Sequence, residues 1–156
     1  MKTSTNPKKK RRSDVIGWRE HVGLPDFGIM DIRAKIDTGA RTSALHAENQ
    51  ELFNKDGVNW VRFLVPVPGQ KQLSRLEAPL LDSRDVKNTS GLPESRFVVR
   101  TTLLLGNHHW SIDVSLADRL NMEFGLILGR TAFRGRGVLV DSGRSYLAGK
   151  PKIETS

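Results

Sequence analysis

The chain contains no cysteine. This excludes a disulfide framework and every thiolate metal site, leaving imidazole and carboxylate groups as the available ligands for a transition metal. It also has no apolar run approaching the roughly 18 residues needed to cross a bilayer, and its opening, MKTSTNPKKKRRSD, has no apolar stretch of the kind a signal peptide uses. The expectation is a cytoplasmic protein with no membrane partner. Two motifs are missing as well: there is no H-E-x-x-H pair for zinc and no G-x-x-x-x-G-K-[ST] loop to cradle a phosphate. A length of 156 residues leaves room for one ordinary domain and not for two sizeable cores.

The formal charge of +8 is unevenly spread. Lys2, Lys8, Lys9, Lys10, Arg11 and Arg12 put +6 on the first 13 residues with no acid among them, leaving 19 bases against 17 acids elsewhere. The high pI therefore describes an arm and not an evenly basic binding face. Residues 1–14 read as a solvated arm with weak attraction to RNA, ribosomes or other polyanions. Residues 15–147 read as the folded unit, and residues 148–156 as a short polar tail.

Period-2 patterning dominates that unit. Ile32, Ala34 and Ile36 alternate with Arg33 and Lys35, and Val61, Phe63 and Val65 alternate with Trp60 and Arg62, as expected of strands with two distinct faces. Phe97 to Leu105 and Trp110 to Leu116 flank Gly106, Asn107, His108 and His109, a β-hairpin pattern. Helical turns are expected only at Ala44 to Phe53 and Arg130 to Phe133. The segments 54–59 and 82–95 carry loop composition, the second long enough to be a functional loop or an unstructured insertion. The expected class is mainly β, a small closed or partly closed barrel.

The stretch Ala34-Lys35-Ile36-Asp37-Thr38-Gly39-Ala40 places a carboxylate where a β-branched strand ends in a sharp turn. Gly39 permits close approach, and Thr38 offers a hydroxyl that can hold the turn. Downstream, Leu126-Ile127-Leu128-Gly129-Arg130 supplies two apolar residues and a glycine leading into a short helical segment. Together these resemble the retropepsin-like aspartic proteases, single-lobe β-barrel enzymes in which the acid loop sits against an apolar-apolar-Gly strand. The longer matches AKIDTGARTSALHA, FGLILGRTAF and VLVDSGRSYLAG are similar to the bacterial family named for ATP-dependent zinc proteases, over about Ile16 to Leu147.

That family name and the motif point to different mechanisms. For zinc the candidates are His21, His46, His108, His109 and acids; adjacent His108 and His109 would face opposite ways on a strand, so no metal site is assigned and no cofactor is expected. With no phosphate loop in the chain, the ATP label would be explained by an ATP-using partner protein. An aspartic mechanism needs two carboxylates sharing a proton. Asp141-Ser142-Gly143 offers a second acid motif, but a second lobe would need its own flap and its own apolar-apolar-Gly strand, so Asp141 reads as a strand-end turn. The second acid is then Asp37 of another subunit, giving a C2 homodimer.

The resemblance implies that Asp37, Thr38 and Gly39 form the catalytic loop and that Ser43 supports it. Ala40, Arg41, Thr42, Ile127, Leu128 and Gly129 line the substrate site, with Lys87 to Ser95 as a flap that hinges or turns at Gly91. The substrate is a peptide or protein, and Arg41 suits an acidic one. A peptide-binding module without catalysis, tethered to the ribosome or RNA by the arm, is the alternative, and a zinc protease the third.

Overall fold

The computed structural model describes residues 14–87, 91–119 and 123–152. Twelve strands follow in order: β1 Val15–Gly17, β2 Arg19–Leu24, β3 Ile29–Ile36, β4 Ser43–His46, β5 Glu48–Lys55, β6 Val58–Val65, β7 Ser74–Pro79, β8 Asp82–Lys87, β9 Pro93–Leu105, β10 His108–Ala117, β11 Leu126–Leu128 and β12 Leu139–Asp141. Two single 3-10 turns, Pro25–Phe27 and Arg130–Ala132, are the only helical elements among the described residues. No helix among them is long and apolar enough to cross a membrane.

Six strands close a barrel in the order β10-β4-β11-β3-β2-β9, with β9 returning to β10. The alternation in β3 is the reason: Ile32, Ala34 and Ile36 are buried while Arg33 and Lys35 are exposed, so one face fills the barrel and the other meets solvent. Val22, Leu45, Leu103, Val114, Leu126 and Leu128 complete that interior at no measurable exposure. At about 25 cal/mol per Å² of apolar surface removed from water, such side chains are the main favourable term. A three-stranded sheet, β5-β6-β7, adds Val61, Phe63 and Val65 to the same core. Phe63 meets Phe27 edge to face at 5.6 Å.

Three local expectations change. Ala44 to Phe53 is strand, not helix, because β4 slots between β10 and β11 and Leu45 and Ala47 are buried there. Residues 54–59 shrink to a two-residue hairpin turn, with Asp56 and Gly57 both at positive φ (52° and 83°) and the Gly57 N–H donating to the Asn54 side chain. Residues 82–95 are mostly not loop. β8 pairs antiparallel with the first half of β9 from Asp82↔Val98 to Lys87↔Pro93, making a hairpin that extends beyond the barrel.

β1 and β12 form a separate parallel pair in the register Val15↔Leu139, Ile16↔Val140 and Gly17↔Asp141. Glu20, fully buried, accepts from the N–H groups of Gly17, Leu147 and Ala148 at 2.7, 2.8 and 3.1 Å. Three backbone donors replace the water this carboxylate loses.

Candidate active site

Asp37 follows the last residue of β3, where β11 runs parallel to β3 with Leu128 beside Ile36. β11 is also antiparallel to β4, so it lies between the two strands that the acid loop connects. The Asp37 N–H donates to the Leu128 carbonyl at 2.9 Å, and the Ala40 N–H returns to the Asp37 carbonyl at 3.1 Å. One carboxylate oxygen of Asp37 accepts from the Gly39 N–H at 3.0 Å. The half-buried carboxylate is thus oriented by its own turn.

The remaining contacts hold the loop from behind. Ser43, fully enclosed, accepts at its hydroxyl from the Gly129 N–H at 3.1 Å, and its carbonyl accepts from Ser115 at 3.0 Å. Gly129 is obligatory: a Cβ there would stand 2.5 Å from the Thr42 carbonyl oxygen. The Arg130 N–H donates to the Ala40 carbonyl at 2.8 Å, and the Arg130 guanidinium reaches the Thr38 and Gly39 carbonyls at 3.2 and 3.3 Å. Thr131 closes on the Arg41 carbonyl through both its N–H and its hydroxyl.

Most residues expected at the site therefore meet there. Asp37, Thr38, Gly39, Ala40, Arg41, Thr42 and Gly129 form one loop cluster, with Thr38, Gly39, Arg41 and Thr42 exposed. Ile127 is half-buried, whereas the Leu128 side chain is fully buried and gives the site its carbonyl. The expected flap falls beyond the Lys87↔Pro93 pair of β8 and β9; its residues 88–90 lie outside the described residues, and Gly91 is at φ +78°. At the hairpin base, a side-chain hydrogen bond from Arg84, then the Ser83 N–H, hold the exposed Asp82 carboxyl below its ordinary value of 3.8.

The histidines stand apart. His21 contacts Asp31 at 2.8 Å, and His108 lies 3.4 Å from Asp14. His46 accepts at Nδ1 from the Arg119 N–H at 3.2 Å and shares a hydrogen bond with Glu48 at 3.0 Å. His109 is exposed. Among the described residues, no group of three or more His, Asp or Glu is placed to hold a metal ion.

A second loop repeats the first. Gly143 N–H donates to the Asp141 carboxylate at 3.0 Å, Arg144 N–H to the Asp141 carbonyl at 3.2 Å, and Trp18 N–H to the Arg144 carbonyl at 2.9 Å. These match the Gly39, Ala40 and Arg130 bonds. Val15-Ile16-Gly17 is an apolar-apolar-Gly strand beside Asp141, the support that a second acid motif requires. A Cβ on Gly17 would meet the Arg144 carbonyl oxygen at 2.2 Å.

A family model described as RimB-like, retropepsin-like aspartic endopeptidase RimB, matches residues 15–151. The chain belongs to this family. Its description names aspartic and not zinc chemistry. A similar fold is seen in a solved Legionella pneumophila protein of unknown function, which aligns with TM-score 0.70 and 28% identity, over 86% of this chain and 97% of its own. Among curated relatives, a probable alpha-L-glutamate ligase of Parasynechococcus marenigrum is 41% identical over 140 residues, 88% of this chain and 30% of that protein. Another from Desulfotalea psychrophila is 40% identical over 127 residues, 80% of this chain and 27% of that protein. This RimB-like chain spans under a third of the curated relatives it matches.

Proposed function

We propose that this RimB-like chain is an aspartic-type peptidase acting on acidic, glutamate-rich peptides, with Asp37 as one catalytic carboxylate and Asp37 of a second copy as the other. The observation that carries the reading is the Asp37 loop: a carboxylate oriented by Gly39, backed by Gly129 and Ser43, and left open on the side of Thr38 and Gly39. A second copy docking there across a two-fold axis brings two carboxylates together, and one proton is then shared because two like charges a few Å apart do not both ionise. The ionised member takes a proton from water as its oxygen bonds to the peptide carbon. The protonated member gives its proton to the carbonyl oxygen, and collapse of the tetrahedral intermediate breaks the C–N bond as the amine gains a proton.

Two observations support an acidic substrate. Exposed Arg41 has no carboxylate partner among the described residues. The relatives whose names describe joining alpha-L-glutamate carry a stretch like this chain inside a longer polypeptide. A module that shortens glutamate chains is a coherent companion to an enzyme that makes them. In this reading the basic arm draws the protein toward ribosomes or RNA and takes no part in bond cleavage.

A second reading rests on the repeated loop. The Ile36 N–H donates to the Trp18 carbonyl at 2.7 Å while Gly17 pairs with Asp141. Asp37 and Asp141 therefore lie on opposite sides of the Gly17–Trp18 backbone, two strands apart, about 10 Å between backbones at ordinary strand spacing. Asp141 would then supply the second carboxylate within one chain.

The test is turnover of an oligo-α-L-glutamate with sedimentation of the same samples. Wild type cleaves and sediments as a dimer, and Asp37→Asn keeps the dimer but loses at least about 1,000-fold in kcat. Adding Asp37→Asn protein to wild type lowers activity more than dilution does, since a mixed pair holds one asparagine. Undiminished cleavage by folded Asp37→Asn would falsify the aspartic reading.

A further inference from the structure

On the outer face of β3, Arg33, Lys35 and Asp37 lie on one line, because Ile32, Ala34 and Ile36 between them point into the barrel. Alternate residues of a strand are about 6.6 Å apart. An extended peptide has the same rise and the same alternation. We propose that Lys35 and Arg33 form a two-rung cationic ladder that selects acidic side chains at the residue flanking the cleaved bond and at the residue two further along. The proposal rests on the acidic-peptide reading above and names the side chains that enforce it.

The surroundings favour these two rungs as free cations. On the neighbouring β2, Arg19 stands opposite Lys35 and His21 opposite Arg33. Both are engaged: Arg19 donates to Ser145 at 3.0 Å and stacks on Trp18 and Tyr146, and His21 is paired with Asp31. On the other side, half-buried Ile127 of β11 pairs with Lys35 and brings no charge to it. Among the described residues neither Lys35 nor Arg33 has a carboxylate partner. The Arg33 guanidinium rests over the Phe124 ring at 5.4 Å, which steers it without neutralising it.

The ladder stops after two rungs. The next residue on that face is Asp31, held by His21 and, at 3.8 Å, by Lys150, so a third acidic side chain would meet a carboxylate. Arg33 also stands at the rim of a cavity of about 560 Å³, whose other charged side chains are Arg119, Glu48 and Glu123. Of these acids, Glu48 is already held by His46. A bound carboxylate gains a charge-assisted hydrogen bond at each rung, and a glutamine of the same shape gains only a neutral one.

The experiment is kcat/KM on a blocked octaglutamate and on its single Glu→Gln variants, with wild type, Lys35→Gln and Arg33→Gln. Wild type prefers Glu over Gln by about tenfold at the residue flanking the cleaved bond and less at the residue two further along, with no preference at the residue between them. Lys35→Gln erases the first preference by lowering kcat/KM on the Glu peptide much more than on the matching Gln peptide; Arg33→Gln erases the second. Lys35→Glu restores cleavage when the flanking residue is lysine.

A Glu preference that survives Lys35→Gln overturns the ladder, as does an equal loss on Glu and Gln peptides, which marks a merely structural residue. Cleavage of neutral peptides alone overturns the ladder together with the acidic-substrate reading and leaves Asp37 standing. No cleavage of any peptide by wild type overturns the peptidase reading beneath both.

Discussion

Asp37 and Asp141 each stand at the end of a strand, each accept the N–H of a glycine two residues on at 3.0 Å, and each lie beside a parallel strand that runs into a glycine with no room for a Cβ. Their walls differ. The Asp37 loop is built into the closed barrel, with buried Ser43 behind it and Arg130 pinning its outer carbonyls. The Asp141 loop sits on the two-stranded β1–β12 pair, braced by Glu20, by Arg19 on Ser145, and by the Arg19 guanidinium between Trp18 and Tyr146. One backbone turn thus serves two purposes. Within the barrel it orients a carboxylate at the end of β3, and beside β1 it joins segments far apart in sequence.

The sharpest break in that comparison is the carboxylate itself. Asp37→Asn is expected to reduce kcat by at least about 1,000-fold, and Asp141→Asn to leave it within a few-fold, when both are assayed on oligo-glutamate. Equal losses with both variants folded would move the second carboxylate from a second copy to Asp141. Next in size are the glycines. Gly17→Ala and Gly129→Ala each force a Cβ against backbone, at 2.2 and 2.5 Å, and each should cost about 3 kcal/mol of stability, read as the shift in the denaturant midpoint. Of the two, only Gly129→Ala is expected to lose activity beyond the fraction unfolded, because the Thr42 backbone it displaces belongs to the acid loop. Equal effects on activity would erase the functional distinction between the loops.

The pairing of Asp37 with the Leu126 to Gly129 strand was legible because each half is local: a strand with clean alternation and a turn whose residue types need no partner to be recognised. β3 shows its two faces in any five residues. The β8–β9 hairpin was not legible. Its first arm, beyond the barrel, carries Asp82, Ser83, Arg84 and Asp85, all exposed, so no apolar period marks it. Its register rests on the ladder to β9 and on contacts such as Ser95 to Asp85 at 2.9 Å. β4 misled in the opposite way, since Ala44, Leu45 and Ala47 suit a helix until neighbours on both sides bury the strand. The β1–β12 pair is the largest omission. Val15–Gly17 and Leu139–Asp141 are far apart in sequence and carry no local sign that they meet, although Val15-Ile16-Gly17 has the same form as the strand that supports Asp37. Arg130 was visible as the residue after Gly129, but its grip on the Thr38 and Gly39 carbonyls depends on a turn formed some ninety positions earlier.

The smallest contrast lies in the supports. Ser43→Ala leaves the buried Gly129 N–H without its acceptor, and Glu20→Gln replaces a carboxylate shared by three N–H groups with one carbonyl oxygen and an amide that cannot accept. Each loss should cost about 1–3 kcal/mol, the usual penalty of stranding a buried donor. If the two loops differ as their walls suggest, Ser43→Ala also lowers kcat, since its hydroxyl holds Gly129, whose neighbours Leu128 and Arg130 bond the acid loop, whereas Glu20→Gln loosens only the β1–β12 clasp. Proteolysis then separates them: residues 147–152 of Glu20→Gln become accessible at native temperature while kcat per folded molecule holds. A fall in kcat per folded molecule in Glu20→Gln would show that the β1–β12 clasp sets the position of Asp37 through Trp18 and Ile36.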